Sequence, residues 1–347
     1  MHARSSDPRP AERGLVAVAL NEPTTEHARA ALQQAARSAD VVELRLDLMD
    51  ELDLPRLLEG RPCPVVVTCR AVREGGRWRG SEEARLDVLR RAIDLGAEYV
   101  DVEADAIHLI RERGRSRLIA SSHDFAAMPP DLPGLWRRLA ESGADVVKIV
   151  GMAADARDTM PVLRVLAAAD RPTIAIAMGP AGLATRVLAL RYPRCLLTFC
   201  ALESGGGTAP GQIGVSDMLS VYGGRTLCEH TTVVGLLGPD LDDAAVRRWN
   251  GALRSRGQDR VAVPFLAPES VNAQDVIEAL AQADLAALVI APAFQEVVGQ
   301  ALDELETAAC RVGRVNLVEV RNGRLVGGWI EDEADLTARL DATTVPA

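Results

Sequence analysis

Asp145-Val-Val-Lys-Ile-Val-Gly151 sets Lys148 among four β-branched residues. A run this short is no helix, and without polar–apolar alternation it reads as a strand buried on both faces. Runs of the same kind stand at Leu15–Leu20, Val41–Asp47, Pro64–Arg70, Tyr99–Asp105, Arg117–Ser122, Thr173–Met178 and Cys195–Ala201. Amphipathic stretches separate most of them, at Thr24–Ser38, Ser81–Leu95, Leu132–Ser142 and Asp155–Ala168. Eight strands alternating with helices predict a (β/α)8 barrel, a TIM barrel in the α/β class, over residues 14–226. A doubly wound sheet is the alternative, but the glycine-rich dinucleotide fingerprint that should follow its first strand is missing.

A smaller α/β domain is predicted over residues 227–340, joined through Gly223-Gly224. Its strands are expected at Val233–Leu237, Arg260–Phe265 and Leu285–Ile290, and its helices at Leu241–Ser255, Val271–Ala283 and Val297–Val312. A hairpin of Val315–Val320 with Leu325–Trp329 turns at Asn322-Gly323, the dipeptide suited to two positive φ angles. Residues 1–13 and 341–347 read as tails, the first polar and rich in Pro and Arg and without the look of a signal peptide.

A formal net charge of -10, with no basic run, argues against a nucleic-acid partner. No apolar stretch is long enough to span a membrane. The six cysteines lack metal-ligand spacing and read as thiols in a reducing cytoplasm. A cytoplasmic protein, expected as a homodimer acting on a small molecule without metal or cofactor, follows.

The chain's 39 Lys and Arg residues include a single lysine, Lys148. Arginine stays protonated at any usable pH, whereas a desolvated lysine can become a neutral amine nucleophile. Facing the barrel interior, Lys148 would be moved below the usual pKa of about 10.4 by burial. Such an amine condenses with a ketone, and the iminium acidifies the adjacent carbon–hydrogen bond. Polar residues at strand C-termini point into the active site of such a barrel. There stand Glu43, Arg45 and Asp47 at alternate positions, Arg70 with Glu74 beyond it, and His123-Asp124 where the fifth run leaves off. Gly205–Gly207 with Thr208 and Gln212 suggests an anion-binding loop, and Arg186 a further cation. His2, His27, His108 and His230 read as structural; His123 reads as the acid/base.

The motifs E-L-R-L-D, T-C-R-x-x-x-E-G-G, S-H-D-F, V-K-I, T-R-V and T-A-P-G-Q, in this order, resemble type I 3-dehydroquinate dehydratase over about residues 14–222. The resemblance implies loss of water from 3-dehydroquinate to give 3-dehydroshikimate in the shikimate pathway. It further implies that Lys148 forms the Schiff base, that His123 moves the protons, and that Glu74 orients His123. Glu43, Arg45 and Arg70 would hold ring hydroxyls; Arg186, Thr208 and Gln212 the carboxylate; Met178 and Phe199 an apolar wall. Thr208 stands where the family usually has serine, and the segment before it is longer and richer in glycine.

Residues 232–332 resemble, more distantly, the N-terminal substrate-binding domain of shikimate dehydrogenase, through Val261-Ala-Val-Pro-Phe265, Gly313-Arg-Val-Asn316 and Asn322-Gly-Arg-Leu-Val-Gly327. The departures fall on its chemistry. The V-T-x-P-x-K motif reads Val289-Ile-Ala-Pro-Ala-Phe294, the N-T-D segment reads Trp329-Ile-Glu331, and no serine stands near residues 239–245. Nor is a nicotinamide-binding domain expected. The resemblance therefore implies a catalytically silent dehydrogenase-like domain. A class I Schiff-base aldolase and a non-catalytic ligand-binding regulator remain as alternative readings of the whole.

Overall fold

The computed structural model describes residues 13–203, 206–240, 243–255, 257–281 and 283–342. The expected tails, apart from residues 13, 341 and 342, lie outside the described residues, as do Gly205 of the glycine run and Leu241 at the expected start of a helix.

The eight apolar runs form β1 (Leu15–Leu20), β2 (Val41–Arg45), β3 (Val65–Thr68), β4 (Tyr99–Glu103), β5 (Arg117–Asp124), β6 (Val146–Met152), β7 (Thr173–Met178) and β8 (Leu197–Cys200). They are hydrogen-bonded in the order β7-β6-β5-β4-β3-β2-β1-β8, and a parallel bridge from Thr173 to Cys195 brings the two ends together into a barrel. Around it run α1 (Thr25–Ala35), α2 (Leu54–Leu58), α3 (Glu82–Asp94), α4 (Leu132–Glu141), α5 (Thr159–Ala168), α6 (Leu183–Leu188) and α7 (Val215–Ser220). The side chains of Thr24, Asp53, Ser81 and Asp131 accept first-turn N–H groups, which sets where α1, α2, α3 and α4 begin; α2 was not among the expected helices.

Strand alternation stacks the interior in layers. Val41, Val66, Tyr99, Ile119 and Val146 belong to a buried apolar cluster that plugs the barrel. Two residues further along the same strands, and so on the same face, come Glu43, Thr68, Asp101, Ser121 and Lys148, all buried. Two further on stand Arg45, Arg70, Glu103, His123 and Val150. The apolar plug is thus capped by polar layers at the C-terminal rim, where the site lies.

Two strand ends differ from expectation. β2 stops at Arg45, and a short 3-10 turn over Leu46–Leu48 returns Asp47 to Arg45, so Asp47 does not continue the alternation. β5 runs on to Asp124 because His123 pairs with Val150 and Asp124 with Gly151 on β6. His123 therefore sits within a strand and not beyond it.

The second sheet has the order β10-β9-β11-β13-β14-β12. Its elements are β9 (Thr232–Gly238), α8 (Asp243–Ser255), β10 (Arg260–Leu266), α9 (Ala273–Leu280), β11 (Ala287–Ile290), β12 (Glu304–Leu305), α10 (Thr307–Val312), β13 (Leu317–Arg321), β14 (Arg324–Gly328) and α11 (Glu333–Ala342). The hairpin turns at Asn322 and Gly323, with φ of 52° and 74°. The helix expected over Val297–Val312 is broken: a 3-10 turn at Val298–Ala301 gives way to β12, and only then does α10 start. The cause is β14, whose Gly327 leaves room for Leu302 and Leu305; a Cβ there would lie 2.5 Å from Leu302 Cδ1. Sheet pairing over a glycine outweighs local helix propensity here. One buried apolar cluster runs from the helix layer of the barrel into this second unit without a break. Among the described residues no helix is long and apolar enough to cross a membrane.

Candidate active site

Glu43, Arg45, Arg70, Glu74, His123, Lys148, Met178, Arg186, Phe199, Thr208 and Gln212 all line one cavity at the C-terminal rim of the barrel, of about 570 Å³ and open to solvent. The residues to which the resemblance gives a role in the site are therefore brought to a single place, whereas Asp47 and Asp124 do not line it. Gly75, Phe125, Val150, Ile176 and Ala209 complete the wall.

Lys148 is 4% exposed, and its contacts reach across the barrel from β6. Nζ donates to Asp101 Oδ2 at 2.7 Å, lies 3.5 Å from Glu43 Oε1, and stands 4.6 Å from the centroid of the Phe199 ring. The inward direction is as expected. Nζ thus faces two buried carboxylates, Asp101 and Glu43. Asp101 is the principal functional residue that the sequence reading missed. Its signal was present, since Asp101-Val-Glu103-Ala-Asp105 repeats the alternating charges of strand two.

Asp101 belongs to a buried ion ladder. Arg70 Nη2 lies 2.8 Å from Asp101 Oδ2, and Arg70 Nη1 lies 3.1 Å from Glu103 Oε1. Arg85, on α3, continues the ladder to Glu103 Oε2 at 2.7 Å and onward to Glu82. Ser121 Oγ donates to Asp101 Oδ1 at 2.6 Å. Burial alone would raise the Asp101 carboxyl, but Arg70 and then Lys148 outweigh it and hold it well below the usual range. Arg70 is thus held in this ladder, with one face on the cavity. Arg45 is likewise tied, forked onto Asp47 at 3.0 and 2.9 Å.

His123 Nδ1 lies 2.9 Å from Glu74 Oε2, leaving Nε2 as the ring nitrogen available to the cavity. Burial, reinforced by the Arg70 and Lys148 cations, keeps the imidazole neutral by moving its pKa well below the ordinary value, against the pull of Asp101. Burial raises Glu74 to about 7, though Arg70 works against it. A neutral histidine oriented by a carboxylate can take a proton at Nε2. Phe125 lies alongside, with its ring centroid 6.3 Å from that of His123.

Arg186 closes the far end. It is 1% exposed, and among the described residues its hydrogen bonds go to main-chain carbonyls, Phe199 O at 3.4 Å and Pro210 O at 3.1 Å. Its Nε has no partner among the described residues, and burial lowers its pKa to about 10. A desolvated guanidinium without a protein carboxylate is costly and suits an anionic ligand. The adjoining loop is folded on itself: Gln212 Oε1 accepts from Thr208 N at 2.6 Å and Ala209 N at 3.3 Å. Among the described residues no group of three or more His, Cys, Asp or Glu side chains is arranged to hold a metal ion.

Fold and site together define a class, a (β/α)8 barrel with a buried amine beside a histidine–carboxylate pair and an unpaired arginine. Residues 16–227 match the family model described as type I 3-dehydroquinase. The chain is 34% identical over 304 residues to the bifunctional 3-dehydroquinate dehydratase/shikimate dehydrogenase, chloroplastic, of Arabidopsis thaliana, covering 83% of this chain and 50% of that protein. It is 39% identical over 180 residues to the 3-dehydroquinate dehydratase of Pyrobaculum aerophilum, covering 50% of this chain and 59% of that one. The 3-dehydroquinate dehydratase of Geobacillus kaustophilus has the same barrel fold, with a TM-score of 0.55 at 23% identity over 60% of this chain and 90% of that one. This chain thus belongs to the type I 3-dehydroquinate dehydratase family. It spans half the length of the Arabidopsis relative, and that alignment continues past the family match into the second unit, which is in this sense shikimate dehydrogenase-like.

Proposed function

We propose that the barrel removes water from 3-dehydroquinate through a Schiff base on Lys148. The observation that carries this reading is the single buried amine, 2.7 Å from Asp101, sharing one cavity with the neutral His123 and the unpaired Arg186. A substrate carboxylate at Arg186, beside Thr208 and Gln212, would bring the ketone at the other end of the ring towards Lys148. Glu43, Arg45 and Arg70 would meet the hydroxyls, and Met178 and Phe199 would cover the apolar face.

The steps balance with the groups at hand. The Lys148 ammonium passes one proton to His123, its lone pair adds to the ketone carbon, and a second proton moves from the nitrogen to the oxygen to give the carbinolamine. The proton held by His123 then leaves with that hydroxyl as water, giving the iminium. His123 Nε2 next takes the proton from the adjacent carbon, and the electron pair moves into the iminium. The imidazolium returns that proton to the departing β-hydroxyl, and a second water leaves. Hydrolysis of the conjugated iminium consumes one water and restores Lys148. The net loss is one water per substrate. The first test is to mix the full chain with 3-dehydroquinate and follow the ultraviolet absorption of the conjugated enone. Steady enone formation is expected; a carbon–carbon cleavage product or no reaction would count against the reading.

Glu74 makes a sharper expectation. The carboxylate form accepts from His123 Nδ1 and so leaves Nε2 free to act as base. Since Glu74 stands at about 7, that form is lost as pH falls through about 7. We expect kcat/KM to decline about tenfold per pH unit below that point, as a property of the coupled pair. Glu74→Gln should slow turnover by roughly 10-fold or more and flatten this limb, because the amide oxygen accepts at every pH. A Glu74→Gln profile with the wild-type limb would contradict the assignment.

The same proposal takes the second unit as silent in hydride transfer. Phe294, 2% exposed, stands at the position of the dehydrogenase lysine, and the chain's one lysine is in the barrel. Asn316 is spent on the main chain, donating to Ile330 O at 2.7 Å and accepting from Ile330 N at 3.0 Å. No NADP-dependent shikimate oxidation above background is expected from the full chain; measurable turnover would overturn this part. A cytoplasmic setting belongs to the proposal too, with six cysteines free of disulfides in its support.

A further inference from the structure

The outer helices of a (β/α)8 barrel normally keep one face in water, as the exposed positions of α1 and α3 do here. Helix α6 does not. From Ala184 to Arg191 every residue is buried, and Val187 is 0% exposed. Thr185 fixes which side faces the barrel: its Oγ1 accepts from Ala177 N, on β7, at 3.0 Å. Arg186, one residue on, points to the cavity. At about 100° per residue Val187 falls on the far side of the helix, where solvent would be expected.

The second unit packs on this helix. Strand β10, the edge of the second sheet, packs against α6 and against the Pro180–Gly182 turn that leads into it. Helix α9 packs on the 3-10 turn Ala156–Asp158, one barrel segment earlier. Polar ties frame the contact. Arg191 Nη2 donates to Asp284 Oδ2 at 2.9 Å and to Glu229 O at 3.2 Å. Arg247 pairs with Asp217 at 2.6 Å, and Arg254 Nη2 donates to Val221 O at 2.9 Å.

We infer that the second unit is a positioning element of the barrel site: by covering the outer face of α6 it fixes Arg186 and so sets affinity for the carboxylate end of the substrate. This rests on the proposed function for the substrate, but not for the anion chemistry of Arg186. Among the described residues Arg186 has no carboxylate partner to aim it and bonds instead to the main-chain oxygens of Phe199 at 3.4 Å and Pro210 at 3.1 Å. Its direction is therefore set by the helix that carries it, and the helix is held between β7 and β10. The remote unit thereby acts on binding and not on the amine chemistry at β6.

The test uses the full chain with two variants outside the cavity. Asp284→Arg, at a largely exposed position, breaks the tie to Arg191; Val187→Ala loosens the centre of the contact. Each should raise KM by about three- to thirty-fold while leaving kcat within twofold, since small misplacements of a binding group carry effects of this size. The exchange Arg191→Asp with Asp284→Arg should restore KM. Affinity for cyclohexanecarboxylate, measured by calorimetry, should fall by the same factor as KM rises. The inference is overturned if neither variant shifts KM or probe affinity, or if kcat falls in step with KM. If the wild-type chain binds the probe but turns over no 3-dehydroquinate, the proposed reaction fails, and the probe affinities alone decide this inference.

Discussion

A chain carrying Lys148→Met is expected to lose turnover by on the order of 10⁴-fold or more while still binding substrate. Methionine keeps an unbranched apolar side chain one atom shorter than lysine's but has no primary amine to condense with a ketone. Binding should survive because the groups proposed to hold the carboxylate and hydroxyls are elsewhere: Arg186 on α6, Arg45 on β2, and Arg70 just after β3. The ladder should also hold, since Asp101 keeps Arg70 at 2.8 Å and Ser121 at 2.6 Å. The measurement is kcat and KM for the enone-forming reaction, with substrate affinity of the inactive variant taken from calorimetry. A Lys148→Met chain with near-normal kcat would remove the Schiff base from the account.

Arg186→Met carries the second large effect, and it runs in opposite directions for activity and stability. With a carboxylate bound, Arg186 completes a buried ion pair, and truncating one member of such a pair costs about 2–5 kcal/mol. That corresponds to a loss in kcat/KM of roughly 30-fold at the lower end and more than 10³-fold at the upper. Without ligand, the same guanidinium is a desolvated charge whose Nε is unpaired and whose pKa burial has lowered to about 10. Replacing it by an apolar side chain of similar reach should raise unfolding free energy by about 1–3 kcal/mol, the usual cost of an unsatisfied buried donor. A higher Tm together with a collapsed kcat/KM is the expected pair of results. A variant that is less stable and equally active would show that Arg186 serves packing.

The barrel was legible because its strands are buried on both faces, which leaves a pattern that a short window detects. The interior chemistry was legible for a related reason. A charge at every second position of an apolar strand must either pair or meet a ligand, and Glu43 with Arg45 on β2 announces that at once. Asp101 and Glu103 carry the same signature on β4, but their partners come from elsewhere: Arg70 just after β3, Arg85 on α3 and Lys148 on β6. Sequence adjacency gives no hint of which charges share a layer; the register of the closed sheet does.

Boundaries failed where tertiary contacts decide them. His123 is part of β5 because its neighbour on β6 extends far enough to pair with it. The stretch Val297–Val312 has helical composition, yet Gly327 on β14 offers it a seat in the sheet. The burial of α6 on all sides was hidden for the same reason. Nothing in Leu183-Ala-Thr-Arg-Val-Leu188 says that its outer face would be covered by a strand more than 70 residues further along the chain.

One measurement bears most directly on the claim that Lys148 forms the covalent intermediate. The full chain is mixed with 3-dehydroquinate, reduced with borohydride, and examined by intact mass and then by peptide mapping. The account expects one ketone-derived mass per chain, located on Lys148, the one lysine the chain contains. Normal turnover with no adduct on Lys148, or an adduct elsewhere in the chain, would contradict it.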